Sequence, residues 1–292
     1  MLAHSPEKFN KAELVGVFES GSEEWLQARK SGVGGSDVGA IMGLNPWESA
    51  YSLWAKKTNQ IAELPLTSKR VKFGQKFEEP ILEIWAEENP DWVVYQTGTY
   101  RHSIYRHVMA NPDALAHNPK TDEWMVIEVK TSAKPWTDVP AHYEAQVMQY
   151  LFVFGITKAK VIGVVGWDWW ESDLVYSDFV GQLQLDYVTK FWEHCQAMTK
   201  PDWDGSDATF KTVKELNPLI EDSKHNTPHA QELFSAQQTA DKSYQALNYW
   251  KSRVLDEMGT AKHAIGLVNG EEVQVASRQM RSGAPTLIVR RK

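Results

Sequence analysis

Cysteine is almost absent from this sequence: one residue, Cys195, in 292. A lone thiol excludes an internal disulfide framework and any cysteine-based zinc cluster. Long apolar runs are absent too. Nothing approaches the roughly 18 consecutive apolar residues of a membrane span, and no apolar h-region follows the first residues. A soluble, cytoplasmic protein without membrane association is the expectation. A basic surplus is also missing. The net charge is −7, with the deficit in residues 1–200 and acids and bases balanced in 201–292. That argues against indiscriminate clinging to nucleic acid, but a local basic channel and clustered carboxylates remain open. Internal repeats and low-complexity tracts are absent as well.

What is present is core material: 42% hydrophobic residues and 13 tryptophans. After a lead-in over 1–21, Ser22 caps a helix whose Glu23 and Glu24 suit the positive end of its dipole, with Arg29 in its last turn. The run Gly32-Val33-Gly34-Gly35-Ser36-Asp37 then permits a tight loop, with Ser36 or Asp37 able to cap the helix that follows. Free N–H groups there would attract an anion, although an ordinary connection between two helices carries the same residues. Helices are expected over Ala50–Lys57, after a break at Asn45-Pro46-Trp47, and over Val71–Glu88, with a polar loop at 58–70 between them. Strands are expected at Trp92–Tyr100, Tyr105–Ala110, Ala114–His117 and Trp124–Thr131, then a helix at Ala141–Phe154. Strands at Lys160–Gly166 and Leu174–Phe179, joined through Trp167–Trp170, and a helix at Gly181–Met198 complete a core over 1–200. Pro201–Ser206 marks a boundary, and 201–292 read as an extension with a helix from Pro228 to Met258 and three strands near 263–289. His225 and His229 have ligand-like spacing but no third ligand, so they read as solvated.

Chemistry gathers in one stretch. Asp113 follows Asn111-Pro112 at a turn, and Glu128 and Lys130 share one face of the strand around Val129. Asp113 and Glu128 offer hard oxygen ligands for Mg²⁺ or Mn²⁺. Lys130 can position a water or steady the charge of a phosphodiester transition state. Upstream, Glu78 falls on the helix face of Ile81, Leu82 and Trp85, where a bare carboxylate is costly and must be paired, protonated or bound to a cation. It is a candidate for a second ion or for orienting the attacking water. Gln146, Gln149, Tyr150 and Val153 share a face of the later helix, and the glutamines and tyrosine read as a polar surface aimed at a ligand. Two acids and a lysine on a surface hairpin would show the same loose spacing; the ordered set around them is what gives it meaning.

Arg29 with Gly34-Gly35-Ser36-Asp37, Gly74-x3-Glu78, Asn111-Pro112-Asp113, Glu128-Val129-Lys130 and Ala145-Gln146-Val147 occur in the order of one family. Over residues 22–198 the chain resembles the YqaJ-type viral recombinases, relatives of phage lambda exonuclease with the PD-(D/E)xK nuclease fold. The resemblance implies an α/β (α+β) restriction-endonuclease-like core, a central mixed sheet flanked by helices. It implies a Mg²⁺-dependent exonuclease that degrades one strand of linear duplex DNA from its 5′ end, often as a ring-shaped trimer, beside a single-strand-annealing protein and of phage or prophage origin. Asp113, Glu128 and the Val129 carbonyl would bind metal, with Glu78 assisting and Lys130 catalytic. Arg29, Ser36 and Gln146 would hold the 5′-terminal phosphate. Asn111 departs from the serine of the lambda relative, though its amide can still donate to phosphate. A repair or restriction endonuclease of the same fold, and a noncatalytic DNA-binding scaffold, are the alternatives. The first has no need of a terminal-phosphate pocket, and the second no need of an intact Asp113, Glu128 and Lys130.

Overall fold

The computed structural model describes residues 3, 4, 6, 9, 11–19, 21–62, 68–281 and 283–290. Part of the expected lead-in and residues 63–67 of the expected loop lie outside that set. The chain divides into two compact units, Met1–Leu219 and Ile220–Lys292.

The first unit is organised by one strand. β7 (Glu123–Ser132) alternates Met125, Ile127 and Val129 with Val126, Glu128 and Lys130, and a two-residue period sends the two sets to opposite faces. It pairs antiparallel with β6 (Ala114–Asn118) and parallel with β8 (Lys158–Val165). Adding β1 (Ala3–His4), β3 (Val93–Gln96) and β9 (Asp168–Val175) gives a six-stranded mixed sheet of order β1-β3-β6-β7-β8-β9. β2 (Ala12–Gly16), β4 (Thr99–His102) and β5 (Met109–Ala110) form a smaller antiparallel sheet beside it.

Helices cover both faces of the large sheet. On one, α4 (Lys69–Glu88) buries Ile81, Leu82 and Trp85 against Ala114, Ala116, Met125, Ile127 and Val129. The expected face of this helix is therefore the buried one, while Glu79, Glu83 and Glu87 are exposed. Pro80 lies inside α4 on its solvent side and does not end it. On the other face α5 (Ala141–Phe154) packs Val147 and Leu151 over Leu115, Val126 and Val161. α2 (Gly35–Ile41), α3 (Ala50–Lys57) and α6 (Asp178–Ala197) back it through Val38, Leu53, Trp54 and Val188. Each fully buried aliphatic side chain of this kind contributes about 1.5–3 kcal/mol. α1 (Glu23–Lys30) starts where expected, with the Ser22 hydroxyl accepting from the Trp25 N–H.

Several sequence expectations need correction. The strand expected over Trp92–Tyr100 divides at Thr97-Gly98 into β3 and β4, which join different sheets. The strand expected over Tyr105–Ala110 shrinks to Met109–Ala110, because His102 Nδ1 accepts from the N–H groups of Ile104 and Tyr105 and closes a turn there. The expected Trp167–Trp170 connection is instead a tight turn at Gly166-Trp167, and Trp169 and Trp170 already lie in β9. That strand ends at Val175, and Phe179 belongs to α6. The expected division at residue 200 falls inside the first unit. There α7 (Asp207–Leu216) packs on α3, with Thr209 donating to the Ser49 hydroxyl at 2.8 Å, and Trp203 stacks on Tyr51 at 5.0 Å. The second unit comprises α8 (Ala230–Met258) and an antiparallel meander of β10 (His263–Val268), β11 (Glu271–Arg281) and β12 (Ala284–Val289). Among the described residues no helix is long and apolar enough to cross a membrane.

The β7–β8 ladder is tightest where it carries the chemistry. Gly163 pairs with Lys130, and a Cβ there would fall 1.8 Å from the Lys130 carbonyl oxygen. Gly163→Ala should therefore cost about 1–3 kcal/mol of stability, the usual toll of overpacking. A thermal melt checks it; an unchanged midpoint would mean that the ladder yields at this point.

Candidate active site

Eight of the nine residues singled out from the sequence line one cavity of about 600 Å³: Arg29, Ser36, Glu78, Asn111, Asp113, Glu128, Lys130 and Gln146. The ninth, Val129, joins them through its backbone. Three structural devices bring them together. Alternation along β7 turns Glu128 and Lys130 to the α5 side. The β6–β7 ladder ends at the pair Ala114–Ile127. One residue earlier, the Asp113 carboxylate takes over, accepting the Val129 N–H at 2.6 Å. From the helix on the opposite face, α4 delivers Glu78 to hydrogen-bonding reach of Asp113. Gly74, one turn earlier, faces the strand, where a Cβ would lie 3.4 Å from the Thr131 hydroxyl, close to ordinary contact.

Glu128 is the electrostatic centre. Its side chain is 2% exposed. One oxygen, Oε1, accepts from the Lys130 ammonium and from Gln146 Nε2, the latter at 2.6 Å. Gln146 Nε2 also lies 2.9 Å from the Tyr150 hydroxyl. The other oxygen, Oε2, is buried and has no hydrogen-bond partner among the described residues. Burial, and then the charge of Asp113, push the Glu128 carboxyl up to about 8 against the pull of Lys130. Burial, Asp113 and Glu128 push Glu78 up to about 9. Burial alone would lower Lys130, but the Glu128 and Asp113 charges outweigh it and hold the ammonium protonated. Lys130 also sits over the Tyr143 ring at 4.8 Å. Three carboxylates thus share one ammonium, and the surplus negative charge is relieved by holding protons or by admitting a cation.

The donors fit a hard divalent ion. They are all oxygen, and one buried carboxylate oxygen lacks a partner, as a ligand atom without its metal does. Among the described residues no three His, Cys, Asp or Glu side chains form a group able to hold a metal by themselves.

The opposite wall carries the second cation. Arg29 lies over the Trp25 ring at 4.8 Å, with Nη2 3.0 Å from Asp37 Oδ1 and 3.5 Å from the Ser36 hydroxyl. Asp37 is buried, and its other oxygen takes Lys57 Nζ at 2.9 Å and the Gly34 N–H at 2.9 Å. Burial would raise the Asp37 carboxyl, but Lys57 and then Arg29 bring it below its ordinary value. Gly35 lets this wall meet α5: a Cβ there would fall 2.4 Å from the Tyr150 ring and 2.9 Å from the Gln146 carbonyl. Asn111 is oriented by the Thr99 hydroxyl, which donates to its Oδ1 at 2.8 Å.

Some expectations change in detail. Ser36 and Asp37 lie inside the first turn of α2, whose N-cap is Gly34. Gln149 does not reach the cavity; it is 2% exposed and donates to the carbonyls of Val33 and Met109 at 2.9 and 2.8 Å, fixing α5 to the strand end. The Asp37–Lys57 pair was missed. An acid beside the apolar run Val38–Met42 was its signal, the same reasoning that singled out Glu78.

Comparison with known proteins agrees with this geometry. Residues 24–159 match the model of the YqaJ-like viral recombinase domain. The protein YqaJ of Bacillus subtilis (strain 168), itself uncharacterized, is 29% identical over 220 residues, which cover 70% of this chain and 66% of that relative. The chain therefore spans a little under two thirds of the relative's length. An alkaline exonuclease from Laribacter hongkongensis superimposes with a TM-score of 0.51 at 16% identity, over 68% of this chain and all of that one. Its complex with dAMP gives the same score, over 98% of that chain. At such identity the likeness is one of fold: the core here, a mixed sheet flanked by helices, shares the fold of that exonuclease. The ordered motifs, the matched segment and this fold agree: residues 24–159 of the chain are similar to the YqaJ-like viral recombinase domain.

Proposed function

We propose that the chain is a Mg²⁺-dependent deoxyribonuclease that digests linear duplex DNA from its 5′ ends. It leaves 3′ single strands for recombination by annealing, in a phage or prophage setting and as a homo-oligomer. The observation that carries this reading is one cavity with two walls: Asp113, Glu128 and Lys130 on one, Arg29 and Ser36 on the other. A nuclease needs the first wall; an enzyme that holds a chain end needs both. The Laribacter hongkongensis protein is named an alkaline exonuclease, and one of its structures contains dAMP. Both facts support a DNA end as the substrate.

In this reading Asp113, Glu128 and the Val129 carbonyl hold Mg²⁺, for which Mn²⁺ can substitute. Glu78 assists directly or through water. The bound ion supplies a lowered pKa for a water and charge compensation at the scissile phosphate. Lys130, kept protonated by its neighbours, donates to the attacking water or to the phosphoryl oxygens as negative charge accumulates. Glu78, raised to about 9, holds its proton near neutrality in the metal-free chain and would serve as a base only once a cation beside it favours the carboxylate. Gln146 fixes the Glu128 carboxylate and lies between the two walls, where its amide can also meet phosphate. Arg29, held against Asp37, keeps its direction and, with the Ser36 hydroxyl and the Asn111 amide, faces the terminal 5′-phosphate in this reading. An annealing protein that receives the exposed 3′ strand is the expected partner.

Purified protein with Mg²⁺ should release mononucleotides from 5′-phosphorylated linear duplexes and leave closed circles intact. Cleavage of circles would favour a repair or restriction endonuclease, and inertness with every divalent ion a noncatalytic scaffold. Lys130→Ala should lower kcat by about 10²–10³-fold, the usual value of a transition-state donor; a folded variant with full activity would remove Lys130 from the mechanism. Arg29→Ala should lower kcat/KM on 5′-phosphorylated ends by about 10–100-fold, as for one charged hydrogen bond of about 1.5–3 kcal/mol. Ends bearing 5′-hydroxyl should suffer little, and equal loss on both would contradict the phosphate role.

The carboxylates also predict a pH dependence without any turnover. Glu78 and Glu128 sit at about 9 and 8 in the folded chain against 4.5 ordinarily. Between pH 5 and 9 the folded state therefore holds protons that the unfolded chain has lost, so the stability of metal-free protein falls as pH rises through that window. Mg²⁺ prefers the deprotonated carboxylates and should flatten the fall. Thermal melts from pH 6 to 9, with EDTA and with Mg²⁺, measure both slopes; identical slopes would contradict metal binding here.

A further inference from the structure

The second unit contains a surface that the nuclease reading leaves without a role. In α8 a stripe made by Leu233, Ala236, Ala240, Tyr244, Leu247, Val254 and Met258 follows steps of three or four residues, with Lys251 at the one position between Leu247 and Val254, so it runs along a single face of the helix. At its C-terminal end this stripe is used: Val254 is half-buried and Met258 buried, where α8 packs on β10 and β12. Toward the N-terminus the same stripe continues without cover. Leu233 is 69% exposed, Tyr244 65% and Leu247 44%, and Trp250 at its flank 59%. Residues 230–250 extend over about 31 Å of helix. A helix of that length owes most of its stability to packing of its apolar face, and a continuous exposed apolar stripe marks a contact surface.

The charges along α8 say what covers it. Residues 230–241 carry Glu232 and Asp241 and no base, whereas 242–253 carry Lys242, Lys251 and Arg253 and no acid. A second α8 laid parallel and in register would set like charge against like. Laid antiparallel about a twofold axis near residue 242, it sets acid against base along the contact. In that register Lys251 of the other copy lays its aliphatic stem over Leu233 and brings its ammonium to Glu232, whereas Arg253 is engaged within its own helix by Glu257 and the Trp250 ring. Tyr244 falls opposite Ala240, and Leu247 falls between Ala236 and Ala240, so large side chains meet small ones. The surface is thus self-complementary, as a twofold contact requires. We propose that α8 is a dimerisation element, pairing antiparallel with α8 of a second copy through Leu233, Ala240, Tyr244 and Leu247. This pairing is independent of the nuclease chemistry, and it joins whatever particle the first unit forms into one of twice the mass.

Light scattering coupled to size exclusion, on the full chain at tens of micromolar, tests this. Leu247→Asp should halve the particle mass while circular dichroism keeps the helical signal. Because that variant could perturb α8 itself, charge exchange supplies the decisive arm. Glu232→Lys should weaken association at least tenfold, and adding Lys251→Glu to it should restore the wild-type mass, since each copy then offers the reversed pair. Recovery by the double exchange supports antiparallel self-pairing. Overturning results are a wild-type particle whose mass neither Leu247→Asp nor Glu232→Lys changes, or a double exchange no better than the single. In either case the stripe is covered by a different protein or by another part of the same chain.

Discussion

A carboxylate buried in a β-sheet sets the terms for this protein. Glu128 is almost wholly withdrawn from water on the central strand, a position that costs several kcal/mol unless the charge is compensated. Lys130 and Gln146 both address a single oxygen. The second oxygen is left over, and Asp113 and Glu78 add negative charge around it instead of relieving it. A site meant only for stability would pair its charges; this one keeps an imbalance that the proposed divalent cation would remove. The rest of the first unit builds that imbalance. The alternation of β7 aims Glu128 and Lys130 together, the end of the β6 ladder frees Asp113 to take the Val129 N–H, and Gly163 allows the close approach of β8 to Lys130.

The second wall shows the same economy. Arg29 alone on a short helix would sample many rotamers, and the buried Asp37 fixes it. Asp37 is tolerated in its turn because Lys57 neutralises it from α3 and also donates to the carbonyls of Arg29 and Gly32. Gly35 lets α2 lie directly on α5, so the Arg29 wall and the Glu128 wall of the cavity are joined by direct helix packing, with Gln146 at the junction. The spacing of the two walls is therefore set by helix packing rather than by a mobile loop.

Much of this was legible in the residue order, and the reasons are local. Glu78 could be placed because helical periodicity puts it with Ile81, Leu82 and Trp85, and those three are buried. Glu128 and Lys130 could be placed because strand alternation is rigid over two residues. Where the reading failed, the deciding contact was distant or a turn was hidden. Nothing near Gln149 reveals that its amide bonds to the carbonyls of Val33 and Met109, far away in the chain. Nothing in Trp92–Tyr100 marks the switch between two sheets except Gly98, whose Cβ would meet the Gly16 carbonyl oxygen at 2.5 Å. Lys57 looked like the polar end of an amphipathic helix, and only the fold brings it under Asp37.

The central claim is that the unpartnered oxygen of Glu128 belongs to a metal site shared with Asp113 and the Val129 carbonyl. Anomalous diffraction from crystals soaked in Mn²⁺ tests it without reference to any substrate. The account predicts a single strong peak, or a pair, bounded by Glu128 Oε2, Asp113 and the Val129 carbonyl, and absent from crystals of a Glu128→Gln variant. No peak in the cavity at saturating Mn²⁺, or one held by other residues while Glu128 keeps only Lys130 and Gln146, would contradict it.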